Sequence, residues 1–210
     1  MRITLRVLLV GAIILLSYMC YRSIMSSMEF DSERALREAA IQARLIDIRK
    51  AQIEYKNVFG VHAANFEQLN SFLKETRLPF VLKEGELTDE QLEKGMKEKD
   101  AIKLGLIKRD TLWVLARDTL FGAKYNVDSL AIVPVAGVGA CFTMDTATLT
   151  SSSGYTVKVF ESGVKYDTYL KDMNRQLVIN LKDMAFKLGK YDGLRVGSVT
   201  EINNNAGNWE

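Results

Sequence analysis

From residue 12 to residue 59 the chain contains neither glycine nor proline. A run of that length without a helix breaker constrains the fold more than any other feature of the sequence. Its beginning is apolar: residues 7–21 read VLLVGAIILLSYMCY, without a charge. A membrane-spanning helix needs about 20 apolar residues, and residues 3–24 supply that length if Arg6 reaches back to the headgroups. The expected element is a membrane anchor leading into a long exported helix. A cleaved signal peptide and a lipidated cysteine are the rival readings. Residues 21–30, YRSIMSSMEF, offer no small-x-small cleavage site, and the bulky Met19 precedes Cys20.

Charge places the two sides. Arg2 and Arg6 precede the apolar run, whereas Glu29, Asp31 and Glu33 follow it after Arg22. Positive residues favour the cytoplasmic side, so the chain is expected to start in the cytoplasm. The remainder then stands outside the inner membrane, in the periplasm. Three of the 28 basic residues and none of the 26 acidic ones lie before Glu29, which leaves 25 against 26 and a net charge of −1. The basic balance of the whole chain therefore belongs to the anchor. It is not the clustered patch of a nucleic-acid binder, and no nucleic-acid partner is expected.

Residues 32–59 carry two apolar stripes at helical spacing. One runs through Ile41, Leu45, Ile48, Tyr55 and Phe59, interrupted by Gln52. The other runs through Ala35, Ala39, Ile46 and Ile53. Two stripes suggest two partners: the chain's own globular domain, and another membrane or envelope protein or a second copy. Deep docking of the whole helix in its own domain is the alternative. A helix unbroken from residue 3 to residue 59 would be about 85 Å long. Ser26-Ser27 and Asp31-Ser32 are the places where it could break. Gly60 suits the left-handed residue that closes helices.

The stretch Ile48-Arg49-Lys50-Ala51-Gln52-Ile53-Glu54-Tyr55, followed by Gly60, Phe66 and Leu69, resembles the first helix of type IV pilins and pseudopilins. The resemblance covers about the first third of the chain. It implies a helix that continues into a small domain with an antiparallel sheet. The family's glycine cleavage site and the glutamate five residues beyond it have no counterpart, since no acidic residue precedes Glu29. The chain as a whole is also similar to an uncharacterised family of anchored bacterial envelope proteins, which implies no activity.

The division expected is an anchor over 1–28, an amphipathic helix over 29–60 and an α+β domain with a mostly antiparallel sheet over 61–210. Within that domain, residues 65–74 predict a helix stopped by Pro79, and residues 88–104 a charged one behind a capping box. Strands are predicted over 112–116, 130–135, 141–150 and 155–161, the last two joined at Ser151-Ser152-Ser153-Gly154. A helix follows over 167–188, with Tyr169, Leu170, Met173, Leu177, Leu181, Met184 and Leu188 inward. Asp192-Gly193 then turns into a strand over 194–199. The asparagine-rich tail from Asn203 to Trp209 and Glu210 either frays, docks on its own domain or binds a partner.

Nothing points to catalysis. The single histidine, His62, has no partner at ligand or triad spacing and reads as structural. Gly137-Val138-Gly139 lacks the lysine and helix of a phosphate loop. Asp110, Asp118 and Asp128 follow no calcium spacing and read as turn residues, and Cys141 as a buried small hydrophobe. No disulfide, metal or cofactor is expected. The function expected is that of a non-enzymatic, single-pass envelope protein, a structural or assembly subunit whose interaction face is Ala35, Ala39, Ile46, Ile53 and Trp209. The alternative is a tethered binding module for a small molecule, peptide or cell-wall fragment. A carboxylate hydrolase is a third reading.

Overall fold

The computed structural model describes residues 2–84, 108–135, 137, 139–151 and 153–210. It is a mixed helix-and-sheet protein: one long N-terminal helix, then a small antiparallel part. Contacts divide the chain into two compact units, Met1–Asn65 with Leu130–Glu210, and Phe66–Ser129.

Helix α1 runs unbroken over Arg2–Phe59. Neither serine site breaks it; Ser27 donates instead to the carbonyl of Ser23, 3.4 Å away, one turn back. The helix is long and apolar enough at its start to cross a membrane, by length and composition. It closes where Gly60 takes a φ of 72° and donates to the Lys56 carbonyl at 2.8 Å, a conformation open to glycine at little steric cost.

The rest of the first unit wraps one side of α1. Strands β3 (Thr143–Thr150), β4 (Thr156–Lys165) and β5 (Gly193–Gly197) form an antiparallel sheet in that order. The hairpin predicted around Ser151–Gly154 is present, with Thr150 opposite Thr156 and Thr143 opposite Gly163. Helix α1 packs on β4 and β5. Ile41, Leu45, Ile48 and Ala51 are fully buried there, as are Phe160, Tyr169, Leu170 and Val196.

The polar interruption of the inner stripe is also buried. Gln52 Nε2 donates to the Ala63 carbonyl and Gln52 Oε1 accepts from the Ala63 amide, both at 2.9 Å. One side chain thus satisfies both backbone groups where the chain reverses after α1. Lys56 Nζ donates to the Lys158 carbonyl at 2.9 Å and Lys158 Nζ to the Gly60 carbonyl at 3.0 Å, fastening the end of α1 to β4.

The second unit holds α2 (Phe66–Glu75), a ribbon of β1 (Arg77–Glu84) and β2 (Lys108–Leu115), the short α3 (Ala116–Leu120) and a 3₁₀ turn at Val127–Ser129. Leu69, Phe72 and Leu73 form the buried face of α2. Lys74 pairs with Asp128 at 2.6 Å.

Several expectations need correction. Pro79 does more than stop α2: it lies inside β1, opposite Trp113. A two-stranded ribbon has a free edge, so the missing N–H breaks no ladder. Asp110 lies in β2 and Asp118 in α3, not in turns. Residues 130–135 form no strand. Only the Ile132–Cys141 bridge survives, beside a proline that cannot donate. Cys141 is exposed; Phe142 takes the inward position, because neighbouring residues of an extended chain face opposite ways.

The helix predicted over 167–188 is two helices, α4 (Tyr166–Tyr169) and α5 (Arg175–Lys187). Asn174 restarts the chain by accepting from the amides of Gln176 at 3.0 Å and Leu177 at 3.4 Å, the usual role of asparagine at a helix start. The restart rotates α5. Val178 and Ala185 are its buried residues, and Met184 and Leu188, predicted inward, are exposed. On α1, Tyr55 is half-buried and Phe59 exposed, so the inner stripe ends at Gln52. The final strand stops at Gly197. The helix predicted over 88–104 lies outside the described residues.

Candidate functional site

The inner stripe of α1 continues toward its N-terminal side as charge. Glu38 and Arg34 lie three and seven residues before Ile41, on the same face. Arg34 Nε donates to Glu38 Oε1 at 2.8 Å, and the Tyr169 hydroxyl donates to the same oxygen at 2.9 Å. Burial, then the negative charge of Glu38, pushes the Tyr169 hydroxyl far above its usual range, so Tyr169 is a fixed donor. One turn away, Arg37 forks onto both oxygens of Asp172 at 2.6 and 2.8 Å, and donates to the Tyr169 carbonyl at 2.8 Å. The Arg37 guanidinium holds the Asp172 carboxyl down at about 2. Bidentate geometry of this kind fixes orientation as well as adding energy.

A groove of about 510 Å³ opens beside this network. Asp31, Arg34, Glu38 and Gln42 form its α1 wall. Leu181 and Met184 of α5, with Leu188 just after it, give it an apolar side, and Tyr166, Lys190 and Tyr191 a polar one. Its volume is within the ordinary range for small-molecule sites.

The last residues of the chain close the groove. Gly207 bridges to Val196, the Asn208 amide donates to the Arg195 carbonyl at 3.0 Å, and Asn208 Nδ2 donates to the Gly193 carbonyl at 2.9 Å. Arg49 reaches Glu210 at 2.7 Å. Trp209 lies across Gly207, where a Cβ would meet the indole ring at 2.5 Å. Of the three fates open to the tail, docking on its own domain is the one observed.

The residues expected to form an interaction face are not brought into this groove, except Trp209, which lines it half-buried. Ala35, Ala39 and Ile53 are exposed on α1, and Ile46 is half-buried between them and the docked side. Leu36, not anticipated, is exposed beside Ala35. Arg34, Glu38, Arg37 and Asp172 were missed as well. Continuing the inner stripe back by three and four would have found Glu38 and Arg34, whereas nothing local marks Asp172.

His62 lies apart from the groove. Its ring is buried, 4.8 Å from that of Phe160, and neither nitrogen has a hydrogen-bond partner of good geometry. Burial, then the charge of Lys56, lowers it to about 4, against a slight opposing pull from the carbonyls of Gln52 and Lys158. A neutral imidazole packed on an aromatic ring is a core residue. Among the described residues, no three histidine, cysteine, aspartate or glutamate side chains converge as metal ligands would. Comparison of the chain with protein families, characterised proteins and solved structures returns no match.

Proposed function

We propose that this chain is a single-pass envelope protein, anchored in the inner membrane with its N-terminus in the cytoplasm. Its exported part acts as a structural or assembly subunit of a membrane complex, in the manner of pilin-like proteins. One observation carries the reading. Helix α1 is continuous from an apolar segment with no cover of its own into a segment covered on one side only. The uncovered side presents Ala35, Ala39 and Ile53, with Ile46 at its margin. Spacings of four and seven residues place these on one stripe that a neighbouring helix can follow.

The test is cross-linking in cells from cysteines at 46 and 53, with Ala40→Cys, on another exposed side of α1, as control. Cross-links to a second chain from 46 and 53 alone support the subunit reading and identify the partner. Silence at both positions rejects it.

The groove favours a second reading, a tethered binding module for a small molecule, peptide or cell-wall fragment. It has the volume and the mixed lining that such a ligand needs. That reading predicts a ligand-dependent rise in melting temperature that Tyr191→Ala removes. A flat response across a panel of peptides and cell-wall fragments counts against it.

A further inference from the structure

We infer that the outer edge of β3 is a docking site for an extended segment of a partner polypeptide that carries carboxylate side chains at alternate positions. The segment adds to the sheet as a further strand and places a carboxylate beside Lys158 and His62. This surface is separate from the outer stripe of α1 and from the groove.

The first ground is the edge itself. The Gly197 amide donates to the Ala206 carbonyl and the Asn208 amide to the Arg195 carbonyl, so the tail covers β5. Strand β3 pairs with β4 on one side, and among the described residues no backbone group meets its other side. The Ser151 amide donates to the Tyr155 carbonyl at 2.8 Å. By the alternation of an antiparallel pair, Leu149, Ala147 and Asp145 also turn to β4, and Met144, Thr146, Thr148 and Thr150 turn outward. The outward direction shows at Thr146, whose amide donates to Asp145 Oδ1 at 2.8 Å. A carboxylate there does the work of a strand carbonyl. The eight residues of β3 pair one for one with β4, without a bulge, and include neither lysine nor proline. Bulges, lysines and prolines are the usual protection of a sheet edge. An edge without them can accept a strand through main-chain hydrogen bonds.

The second ground is the chemistry beside that edge. A cavity of about 270 Å³ is lined by Thr146 and Thr148 with Val61, His62 and Lys158. In an added antiparallel strand, the residues opposite these two threonines share their face and meet the cavity. Lys158 Nζ donates to the Gly60 carbonyl and Lys56 Nζ to the Lys158 carbonyl. Among the described residues neither ammonium is paired with a carboxylate, whereas Lys74, Lys182 and Arg49 each are. His62 is only 7% exposed, and its nitrogens lack partners. A neutral imidazole keeps one N–H to donate. A carboxylate answers both the lysine charge and the histidine donor.

The other face of the sheet sets the alternate positions. Asp145 stands opposite Glu161 there, so the segment's residues on that side are neutral or basic. A second copy of β3 fits less well. It would bring Met144 and threonines, not carboxylates, to the lysine side.

The experiment uses the full chain in detergent and a fluorescein-labelled peptide, Thr-Val-Glu-Val-Glu-Lys-Thr, whose glutamates fall on the lysine side. Fluorescence anisotropy measures binding, and hydrogen–deuterium exchange locates it. The peptide is expected to bind at least about tenfold tighter than its counterpart with glutamine in place of both glutamates. It should slow exchange over residues 143–150 and leave the covered edge at β5 unchanged. Lys158→Gln should remove most of the preference for glutamate. N-methylation of the two glutamates, which leaves the protein untouched, should weaken binding at least about tenfold. Equal affinity for the glutamate and glutamine peptides overturns the inference, as does tolerance of N-methylation or binding without protection of β3. Protection of β3 that grows with the concentration of the chain alone also overturns it, because the occupant is then a second copy. So does an absence of binding up to about 1 mM peptide.

Discussion

The two halves of α1 share a backbone and differ in everything around it. From Val7 to Ile24 the large apolar side chains are 54–72% exposed. From Ile41 to Gln52 one face of the same helix is fully buried against β4 and β5. Both halves are helical because both lack breakers. They are stable for different reasons. The second half gains its stability from tertiary packing, which is the main source of helix stability in proteins. The first has no packing of its own, and its uniform apolarity suits surroundings that are themselves apolar. Helix formation and helix stabilisation are thus separate facts, and a continuous helix can be held by two unrelated environments.

The sharpest way to break that comparison is to place the same charge in each half. Leu45→Lys buries an unpaired ammonium in the core of the first unit and should cost 4 kcal/mol or more, about enough to abolish cooperative unfolding. Leu15→Lys should leave the melting curve of the first unit unchanged and, on the proposed anchor reading, reduce retention in the membrane fraction. If Leu15→Lys destabilises the fold as much as Leu45→Lys does, the two halves are not held separately.

A smaller effect is expected at Gln52, where the covered half ends. Gln52→Ala leaves the buried Ala63 amide and carbonyl without partners and should cost about 3 kcal/mol. Gln52→Glu keeps one acceptor and should lose less. Urea unfolding of the three proteins orders them, and a cost below about 1 kcal/mol for Gln52→Ala would mean that water replaces the latch.

The smallest effect concerns pH. His62 is held at about 4, below its unfolded value of 6.5. An unfolded chain therefore takes up a proton in a window where the folded chain does not. Stability should be full above pH 6.5, fall as the pH drops from 6.5 to 4, and level off below. His62→Phe should flatten that window in urea titrations at pH 7 and pH 4.5. An unchanged slope would assign the effect to carboxylates, among them Asp172, whose own loss belongs between its usual range and pH 2.

Legibility followed the distance over which each feature is decided. The hairpin was readable because Ser153 and Gly154 supply the turn chemistry between two alternating segments. The split at Asn174 was visible in principle, since asparagine before a helical run is a cap, but apolar spacing on both sides concealed it. The β1 strand was hidden by Pro79, which reads as a breaker unless the strand is known to have a free edge. The α1 wall of the groove was half legible. Arg34 and Glu38 continue a stripe already found, whereas their partner Tyr169 stands 131 residues from Glu38.

Taken alone, the sequence determined that residues 12–59 would be helical, that the apolar charge-free run would head the helix, and that Ile41, Leu45 and Ile48 would share a face. Each follows from local periodicity and the absence of breakers. Only the tertiary structure decided that Gln52 is buried and satisfied, that α5 turns Met184 and Leu188 outward, and that the tail folds back so that Glu210 meets Arg49 from 161 residues away. Those outcomes depend on which polar groups find partners and which apolar faces find cover. Such partners are supplied by distant segments, so no local pattern contains them.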